Sequence, residues 1–333
     1  MKLAIEPLSK FRKTQIASKF FLSNIKKKFE LFQNCSLSSH YLPFYDIALF
    51  ATTNKSIYKK PFILRLDGIY IDKLNTIKNS DLENKKIFES IENSSGIIFN
   101  SNYSKKIVEK FYKKIDKPNT VISNGIDQSI FKINGENLRN ELGIDENEIV
   151  LITCAYWRRH KRLKETIIFF NKLVETRNEK LKLIVIGAKN EDYNDNKDII
   201  FSGMVENHDL PKWYRTANYY IHLSWIEANS NSQCEAISCG LPVLCSNNGG
   251  NYESVKELNV GVVSECDEQF NFEMVDLYNP PEPNFKTLLR DFDNLINKRD
   301  QYKFNQNLNK INLDHIASEY LKFIEYVFKN INK

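Results

Sequence analysis

Cysteine is sparse in this chain, and its cysteines do not occur in pairs. Six are present among 333 residues, none of them in a C-x-x-C spacing, and no histidine stands at ligand spacing beside them. They occupy positions 35, 154, 234, 239, 245 and 266. Disulfide frameworks and thiolate zinc sites both depend on such paired spacings. We therefore expect reduced thiols, as in a cytosolic protein.

Long apolar runs are also absent. The longest apolar stretch, Tyr41–Phe50, is interrupted by Asp46 and is far shorter than the roughly 20 residues that cross a bilayer. No secretory leader is visible, because Lys10 and Arg12 follow the first few residues at once. We expect a cytoplasmic protein.

Neither sign of charge dominates, and two common nucleotide motifs are missing. The chain has 47 basic and 42 acidic residues, a net charge of +5, so we expect no nucleic-acid partner. No G-x-G-x-x-G follows the first strand of either half and no Walker lysine occurs, which argues against a dinucleotide oxidoreductase. No Asp-x-Asp follows a predicted strand. We expect neither a cofactor nor a metal.

What the chain does have is a regular alternation of apolar runs and amphipathic stretches in both halves. This alternation predicts an α/β protein with parallel sheets covered on both faces. Its length allows two domains. We place the first at residues 1–130 and the second at 135–313, with a linker over 127–137 and a C-terminal helix, 314–333, that packs back on the first.

The richest stretch, residues 225–253, contains two carboxylates eight positions apart, Glu227 and Glu235. Between them lies a small polar run at the predicted start of a short helix, with Ser230, Asn231 and Ser232. Unpaired N–H groups at a helix N-terminus suit a phosphate. The same spacing also fits a capping box from Ser232 to Glu235, in which the carboxylate would only close the helix start.

Five potential cations, Arg158–Arg162, follow the first predicted strand of the second half. Positioned arginine and lysine groups stabilise the negative charge that develops on a departing diphosphate. The alternative is the solvated basic start of a helix.

Four ordered motifs together resemble the retaining glycosyltransferases of family four. The matching segments are Glu227-x7-Glu235 with Gly240-Leu241-Pro242, Ser123–Asp127, Leu181–Gly187, and Phe201-Ser202-Gly203 with Leu210, Tyr214 and Ala217. That family has the GT-B fold. The resemblance therefore implies two doubly wound Rossmann-like domains that face each other across a cleft, the first on the acceptor side and the second holding a nucleotide-sugar donor.

The resemblance also implies roles for particular residues. Arg158 and Lys161 would grip the donor diphosphate, although Arg159 could be the equivalent of Arg158. Glu235 would accept hydrogen bonds from the ribose hydroxyls, and Glu227 would face the donor sugar. The backbone N–H groups of residues 230–232 would meet sugar hydroxyls and phosphates, while Asn124 and Gly125 would lie at the domain crossover.

Asp67 departs from the family pattern. It ends the predicted strand in FILRLDGIY, where the family often has a histidine near the reacting centre. Asp67 could orient the acceptor or the donor sugar, and Arg65 could contact an anionic acceptor. The alternative is a strand-terminating Asp-Gly turn.

Taken with these residues, the resemblance implies an enzyme that transfers a hexose with retention of its anomeric configuration and without a metal ion. The donor would be a UDP- or GDP-linked sugar and the acceptor a hydroxyl of a glycan or lipid-linked saccharide, in surface polysaccharide or glycoconjugate assembly. A sugar-nucleotide epimerase of the same fold and a catalytically silent partner subunit are the alternatives. Residues 11–32 form a basic stretch that could contact a membrane surface peripherally. The alternative is an ordinary helix that packs on the first sheet.

Overall fold

The computed structural model describes residues 1–5, 24–30, 36–38, 44–53, 59–187, 196–302 and 304–331. The chain divides into two compact units. The first comprises Met1–Gly125, Phe272–Val275 and Ile311–Lys333, and the second Ile126–Asn271 and Asp276–Lys310. Residues 127–137, which the sequence suggested as a linker, belong to the second unit. There the side-chain amide of Gln128 donates to the carbonyl of Leu308 over 2.6 Å.

The first unit is built on one parallel sheet. Its strands are β1 (Lys2–Ile5), β2 (Ser36–Ser38), β3 (Ile47–Ala51), β4 (Phe62–Leu66), β5 (Gly96–Phe99) and β6 (Asn119–Val121). They lie in the order β2-β1-β3-β4-β5-β6. Every residue of β3, β4 and β5 is buried, which explains their almost continuously apolar sequences. Arg65 in β4 is the charged exception among these three strands.

The second unit has a parallel sheet of its own. Its strands are β7 (Ile149–Cys154), β8 (Leu181–Ile186), β9 (Ile199–Gly203), β10 (Tyr219–His222), β11 (Val243–Ser246) and β12 (Gly261–Ser264). They lie in the order β12-β11-β10-β7-β8-β9, so β7 and β10 are central neighbours. The loops that follow these two strands therefore leave the sheet side by side.

Helices connect the strands in both units. They are α1 (residues 24–29), α2 (Ser80–Asn93), α3 (Asn102–Phe111), α4 (Leu163–Thr176), α5 (Leu210–Thr216), α6 (Asn231–Ser238), α7 (Asn251–Leu258), α8 (Phe285–Asn297), α9 (Phe304–Asn307) and α10 (Leu313–Ile331). Among the described residues, no helix is both long and apolar enough to cross a membrane.

The first sheet is buried by helices on both of its faces. One core joins it to α1 and α10, through Phe29, Ile316 and Tyr320. A separate core joins it to α2 and α3, through Ile91 and Val108. Burying each such apolar side chain contributes roughly 1.5–3 kcal/mol, so α10 is held to this unit by a full row of apolar positions.

The second core lies between its sheet and helices α4 and α8. Phe169 of α4 and Phe292 of α8 meet edge to face, with ring centroids 5.9 Å apart. Leu151 and Leu183 contribute from β7 and β8. On other strands of this sheet, α6 packs against β10 and α7 against β11 and β12.

The predicted alternation of strands and helices is confirmed in both units, and several elements were missed. The sequence did not indicate β2, β9, α5 or α7. β9 is half-exposed at every residue, so it lacks the apolar run that marks the central strands. Most of the basic stretch 11–32 lies outside the described residues, and the peripheral membrane contact that the sequence left open stays open. In its described part, Lys28 pairs with Asp314 over 2.7 Å.

Candidate functional site

A polar site lies in the second unit, at the edge where its parallel strands end. Four predicted residues lie here: the loop after β7 supplies Arg158 and Lys161, the loop after β10 supplies Glu227, and α6 supplies Glu235. Ligands of open α/β sheets bind at this carboxyl edge. Helix α6 is tied to β7 because the hydroxyl of Ser232 donates to the carbonyl of Cys154 over 2.8 Å.

The five cations after β7 have different surroundings. Arg158 is exposed and its guanidinium lies 5.7 Å from the ring centroid of Tyr156. Arg159 pairs with Glu165 of α4 at 2.7 Å. His160 is buried. A solvated basic helix start therefore does not describe this segment.

Arg162 is a structural residue of the loop. Its side chain is fully buried and makes a two-pronged ion pair with Asp267, at 2.7 and 2.9 Å. It also donates to the carbonyl of Pro281 over 2.8 Å. The pairing holds the backbone of Arg162 in the left-handed region, at φ 57°, just before α4 begins. Lys161 directly precedes this left-handed residue.

Lys161 and Glu227 form an ion pair between the loops that follow β7 and β10. The second oxygen of Glu227, Oε2, lies 3.2 Å from Nε2 of His222, the last residue of β10. Burial alone would raise the pKa of Glu227, but Lys161 and His222 outweigh burial and hold this pKa well below its ordinary value. Glu227 is therefore ionised at neutral pH.

The glycine loop after β11 holds the backbone of Glu227. The N–H of Gly250 donates to the carbonyl of Glu227 over 2.7 Å. Gly249 has φ 82°, and a Cβ atom there would lie 2.3 Å from the same carbonyl oxygen. Only glycine permits this approach. This glycine loop thus packs against the Glu227 backbone.

The start of α6 differs from the expectation in one respect. Its N-cap is Ser230, whose backbone N–H donates to the side-chain oxygen of Asn251 over 2.8 Å. This N–H group is already satisfied inside the protein, so it is not open to a sugar or phosphate as predicted. Asn251 also contacts Nε2 of His222 at 2.8 Å, which links the helix start to Glu227.

Glu235 does not close a capping box. Because α6 begins at Asn231, Glu235 lies beyond the first turn, and Ser232 bonds to the Cys154 carbonyl instead of to the helix start. Oε2 of Glu235 accepts a hydrogen bond from the hydroxyl of Tyr214 over 3.0 Å. Burial raises the pKa of Glu235 to about 7, against the opposing effect of Tyr214. Near pH 7, Glu227 is thus ionised and Glu235 is only partly ionised.

The remaining predicted residues, Asp67, Asn124 and Gly125, belong to the first unit. Asn124 accepts a hydrogen bond from Arg65 over 2.6 Å. A Cβ atom at Gly125 would lie 3.0 Å from the Leu313 backbone, so this glycine is needed for packing against α10. The roles of Asn124 and Gly125 toward a donor stay predictions. Arg65 was expected to contact an anionic acceptor, but its side chain is only 1% exposed and pairs with Asp67.

The sequence did not indicate three features of the site: His222, Asn251 and the hydrogen bond from the Tyr214 hydroxyl to Glu235. His222 carried a partial signal, since it stands near the carboxyl end of an apolar run, but only the sheet order places that strand beside β7. Asn251 opens a helix that was not predicted. Tyr214 belongs to a recognised motif, but nothing in its spacing connects it with Glu235.

Comparisons with known proteins agree with this architecture. Residues 134–279 match the family of glycosyl transferases group 1. The chain is 26% identical over 170 residues to alpha-monoglucosyldiacylglycerol synthase of Streptococcus pneumoniae, covering 46% of this chain and 37% of that protein. It is 28% identical over 162 residues to N-acetyl-alpha-D-glucosaminyl L-malate synthase of Bacillus anthracis, covering 45% and 42%.

A solved structure extends the likeness to the whole chain. HepE of Anabaena, in complex with UDP and glucose, superposes with a TM-score of 0.68 at 15% identity, covering 98% of this chain and 100% of that one. The two curated relatives are matched over only about two fifths of their own length, 37% and 42%. Residues 134–279 are thus similar to the glycosyl transferases group 1, and the chain has the GT-B fold.

Proposed function

We propose that this chain is a retaining glycosyltransferase that moves a hexose from a nucleoside-diphosphate sugar to a hydroxyl of a glycan or lipid-linked acceptor. The observation that carries the proposal is the Lys161–Glu227 ion pair beside the exposed Arg158 and the buried Glu235, at one strand-end edge. This edge combines cations suited to a diphosphate with carboxylates suited to hydroxyl groups.

The cations act on the leaving group. When the bond between the sugar and the diphosphate breaks, negative charge develops on the phosphate oxygens, and preorganised cations lower the energy of that state. Arg158 is exposed and has no ion-pair partner among the described residues, so it can reach a ligand by leaving only the ring of Tyr156. Lys161 is already held by Glu227, which orients its ammonium group before the donor binds. With this positive charge in place, the reaction is expected to proceed without a metal.

The carboxylates act on hydroxyl groups. Glu235 uses Oε2 to accept from Tyr214, and its other oxygen has no hydrogen bond from any described residue. In its ionised form, which is partly populated near pH 7, this carboxylate accepts two hydrogen bonds, which suits the vicinal diol of a ribose. Glu227, ionised and paired with Lys161, suits the hydroxyls of the donor sugar.

The comparisons support the substrate classes. HepE was crystallised with UDP and glucose, which favours a UDP-linked hexose as donor. The pneumococcal relative is named for a glucosylated diacylglycerol, which favours an acceptor attached to lipid. Both relatives' names specify an alpha linkage, as a retaining transfer from an α-linked donor would form. Surface polysaccharide or glycoconjugate assembly is the setting that we propose.

The test begins with donor selection. Thermal shift against UDP-, GDP- and ADP-sugars should identify one nucleotide that raises the melting temperature. The selected donor is then incubated with and without a panel of p-nitrophenyl hexosides, and the products are separated and analysed by NMR. A new glycoside whose anomeric configuration matches the donor is the expected result.

Two other outcomes would overturn the proposal in different ways. A nucleotide sugar whose ring stereochemistry changes without any acceptor would indicate an epimerase of the same fold. Donor binding without transfer or epimerisation, for any donor and acceptor, would indicate a catalytically silent subunit.

A further inference from the structure

One charged and polar cluster lies at the strand-end edge of the first sheet. Asp67 follows β4, Asn100 follows β5, and Asn124 lies three residues beyond β6. These strands are parallel neighbours, so their carboxyl ends share one edge. The fourth member, Arg65, belongs to β4 itself. Polar groups at this edge of a parallel sheet are positioned for a ligand.

The hydrogen bonds of the cluster converge on one oxygen of Asp67. Nη1 of Arg65 lies 2.5 Å from Oδ1 of Asp67, and Nδ2 of Asn100 donates to the same oxygen over 2.7 Å. The hydroxyls of Ser101 and Ser104 donate to the amide oxygen of Asn100, which fixes the orientation of that amide. The carboxylate is therefore held from two sides.

Arg65 cannot meet a ligand itself. Its side chain is 1% exposed, whereas that of Asp67 is 40% exposed. Burial lowers the pKa of Arg65, but Asp67 and Tyr320 outweigh burial, so the guanidinium stays charged. The second terminal nitrogen of Arg65, Nη2, donates a hydrogen bond to Oδ1 of Asn124 over 2.6 Å. The buried charge can influence a ligand only through the carboxylate that it holds.

The other oxygen of Asp67, Oδ2, has no hydrogen bond from any described residue. In a simple Asp-Gly turn, the aspartate side chain would bond the backbone of its own turn. Asp67 instead bonds Arg65 and Asn100, although Gly68 does take the left-handed conformation of a turn, at φ 115°. The side chain is thus fixed at one oxygen and presents the other to solvent.

The charge of this open oxygen selects its ligand. An ionised carboxylate repels an anionic diphosphate, and it accepts hydrogen bonds from neutral hydroxyls. We propose that Oδ2 of Asp67 binds a hydroxyl group of the acceptor sugar, and that Arg65 and Asn100 are positioning residues for it. This inference rests on the proposed transferase function and adds to it an acceptor contact in the first unit.

The test compares Asp67→Asn with Asp116→Asn, a matched exposed aspartate of the same unit outside the cluster. Kinetics use the donor chosen by thermal shift and a p-nitrophenyl hexoside that the parent glycosylates. Hydrogen bonds to charged groups support a loss of about 10- to 100-fold in kcat/KM for the acceptor in Asp67→Asn. Donor affinity and acceptor-independent donor hydrolysis should stay at the parental level, as should every parameter of Asp116→Asn.

Arg65→Lys tests the positioning role, because lysine keeps the charge but cannot hold Asp67 and Asn124 together. It should raise KM for the acceptor in the parent background. In the Asp67→Asn background it should cause little further loss, since residues that act as one unit are not additive. Additive losses would show that Arg65 acts on the fold and not through Asp67. If Arg65→Lys fails to fold, as judged by circular dichroism, Asp67→Asn alone decides the acceptor contact.

The outcomes separate this inference from the function beneath it. A parent that transfers no sugar with any donor overturns the proposed function and this inference with it. A parent that transfers sugar, with Asp67→Asn equal to Asp116→Asn, overturns only the acceptor contact. Equal losses in donor hydrolysis and in transfer would assign Asp67 to the donor sugar.

Discussion

The ammonium group of Lys161 and the carboxylate of Glu227 are paired across the ends of two neighbouring strands, β7 and β10. The lysine is 15% exposed and the glutamate 20%. Each therefore depends on the other for charge compensation, while Arg158, three residues before Lys161, remains exposed. The two cations that we propose for the diphosphate thus differ when no donor is bound, because Lys161 is in an ion pair and Arg158 is exposed.

Replacing these cations should separate catalysis from stability. Removal of one preorganised group typically costs about 10²–10³-fold in rate, so Arg158→Ala and Lys161→Ala should each lose turnover on that scale. Only Lys161→Ala should also melt at a lower temperature, because it leaves the largely buried Glu227 without its ion-pair partner. Turnover with the selected donor and thermal melting check both points.

Lys164→Ala is the matched control, since Lys164 is an exposed lysine on the neighbouring helix. It should keep parental turnover and melting. Near-parental turnover in both Arg158→Ala and Lys161→Ala would show that the diphosphate is bound elsewhere.

Glu235→Gln should change the pH dependence of stability. The fold raises the pKa of Glu235 from 4.5 to about 7, so between these values the folded state keeps a proton that the unfolded state releases. The unfolding free energy of the parent therefore falls as pH rises through this window, by about 3 kcal/mol in total. Denaturant unfolding at pH 4 and pH 8 should show that the glutamine variant lacks this fall.

The same variant should lose nucleotide affinity, because an amide offers one acceptor where the carboxylate offers two. Calorimetric titration with the nucleoside diphosphate measures this loss. A variant that melts lower than the parent at pH 8 yet binds the nucleotide normally would show that Glu235 is a structural residue.

Breaking the Arg162–Asp267 pair should damage the fold. Both side chains are almost fully buried, at 0% and 1% exposed, so Asp267→Ala leaves an uncompensated cation inside the protein. Such losses cost about 3–5 kcal/mol. Chemical denaturation should show a drop of that size, and Lys180→Ala, which removes one member of a largely exposed ion pair, should show almost none. A drop no larger than that of the control would mean that water reaches Arg162.

Activity should persist in excess chelator, because Arg158 and Lys161 supply positive charge at the proposed leaving group. Within the described residues, no group of three histidine, cysteine, aspartate or glutamate side chains is placed to hold a metal ion. Transfer measured in EDTA should equal transfer measured without it. Complete loss that manganese or magnesium restores would contradict the role given to the two cations.

Sequence alone determined the central elements of both sheets. The alternation predicted from the apolar runs is realised in the strands β4, β5, β7 and β8. These strands are covered on both faces, so their apolar runs are nearly unbroken and stop where burial stops. The edge strand β9 escaped detection because its half-exposed residues carry no such run.

Sequence also indicated which short segments carry the site, through the spacing of Glu227 and Glu235 and the cations after β7. The sequence alone could not show what each of these residues contacts. Only the tertiary structure decided that Arg162 is a buried structural ion-pair partner, because its partner Asp267 lies 105 positions away. Likewise, the spacing of Glu235 fits a capping residue, but its carboxylate accepts a hydrogen bond from Tyr214, 21 positions earlier. The charge and accessibility of a side chain depend on neighbours brought close by packing, and spacing along the chain does not encode them.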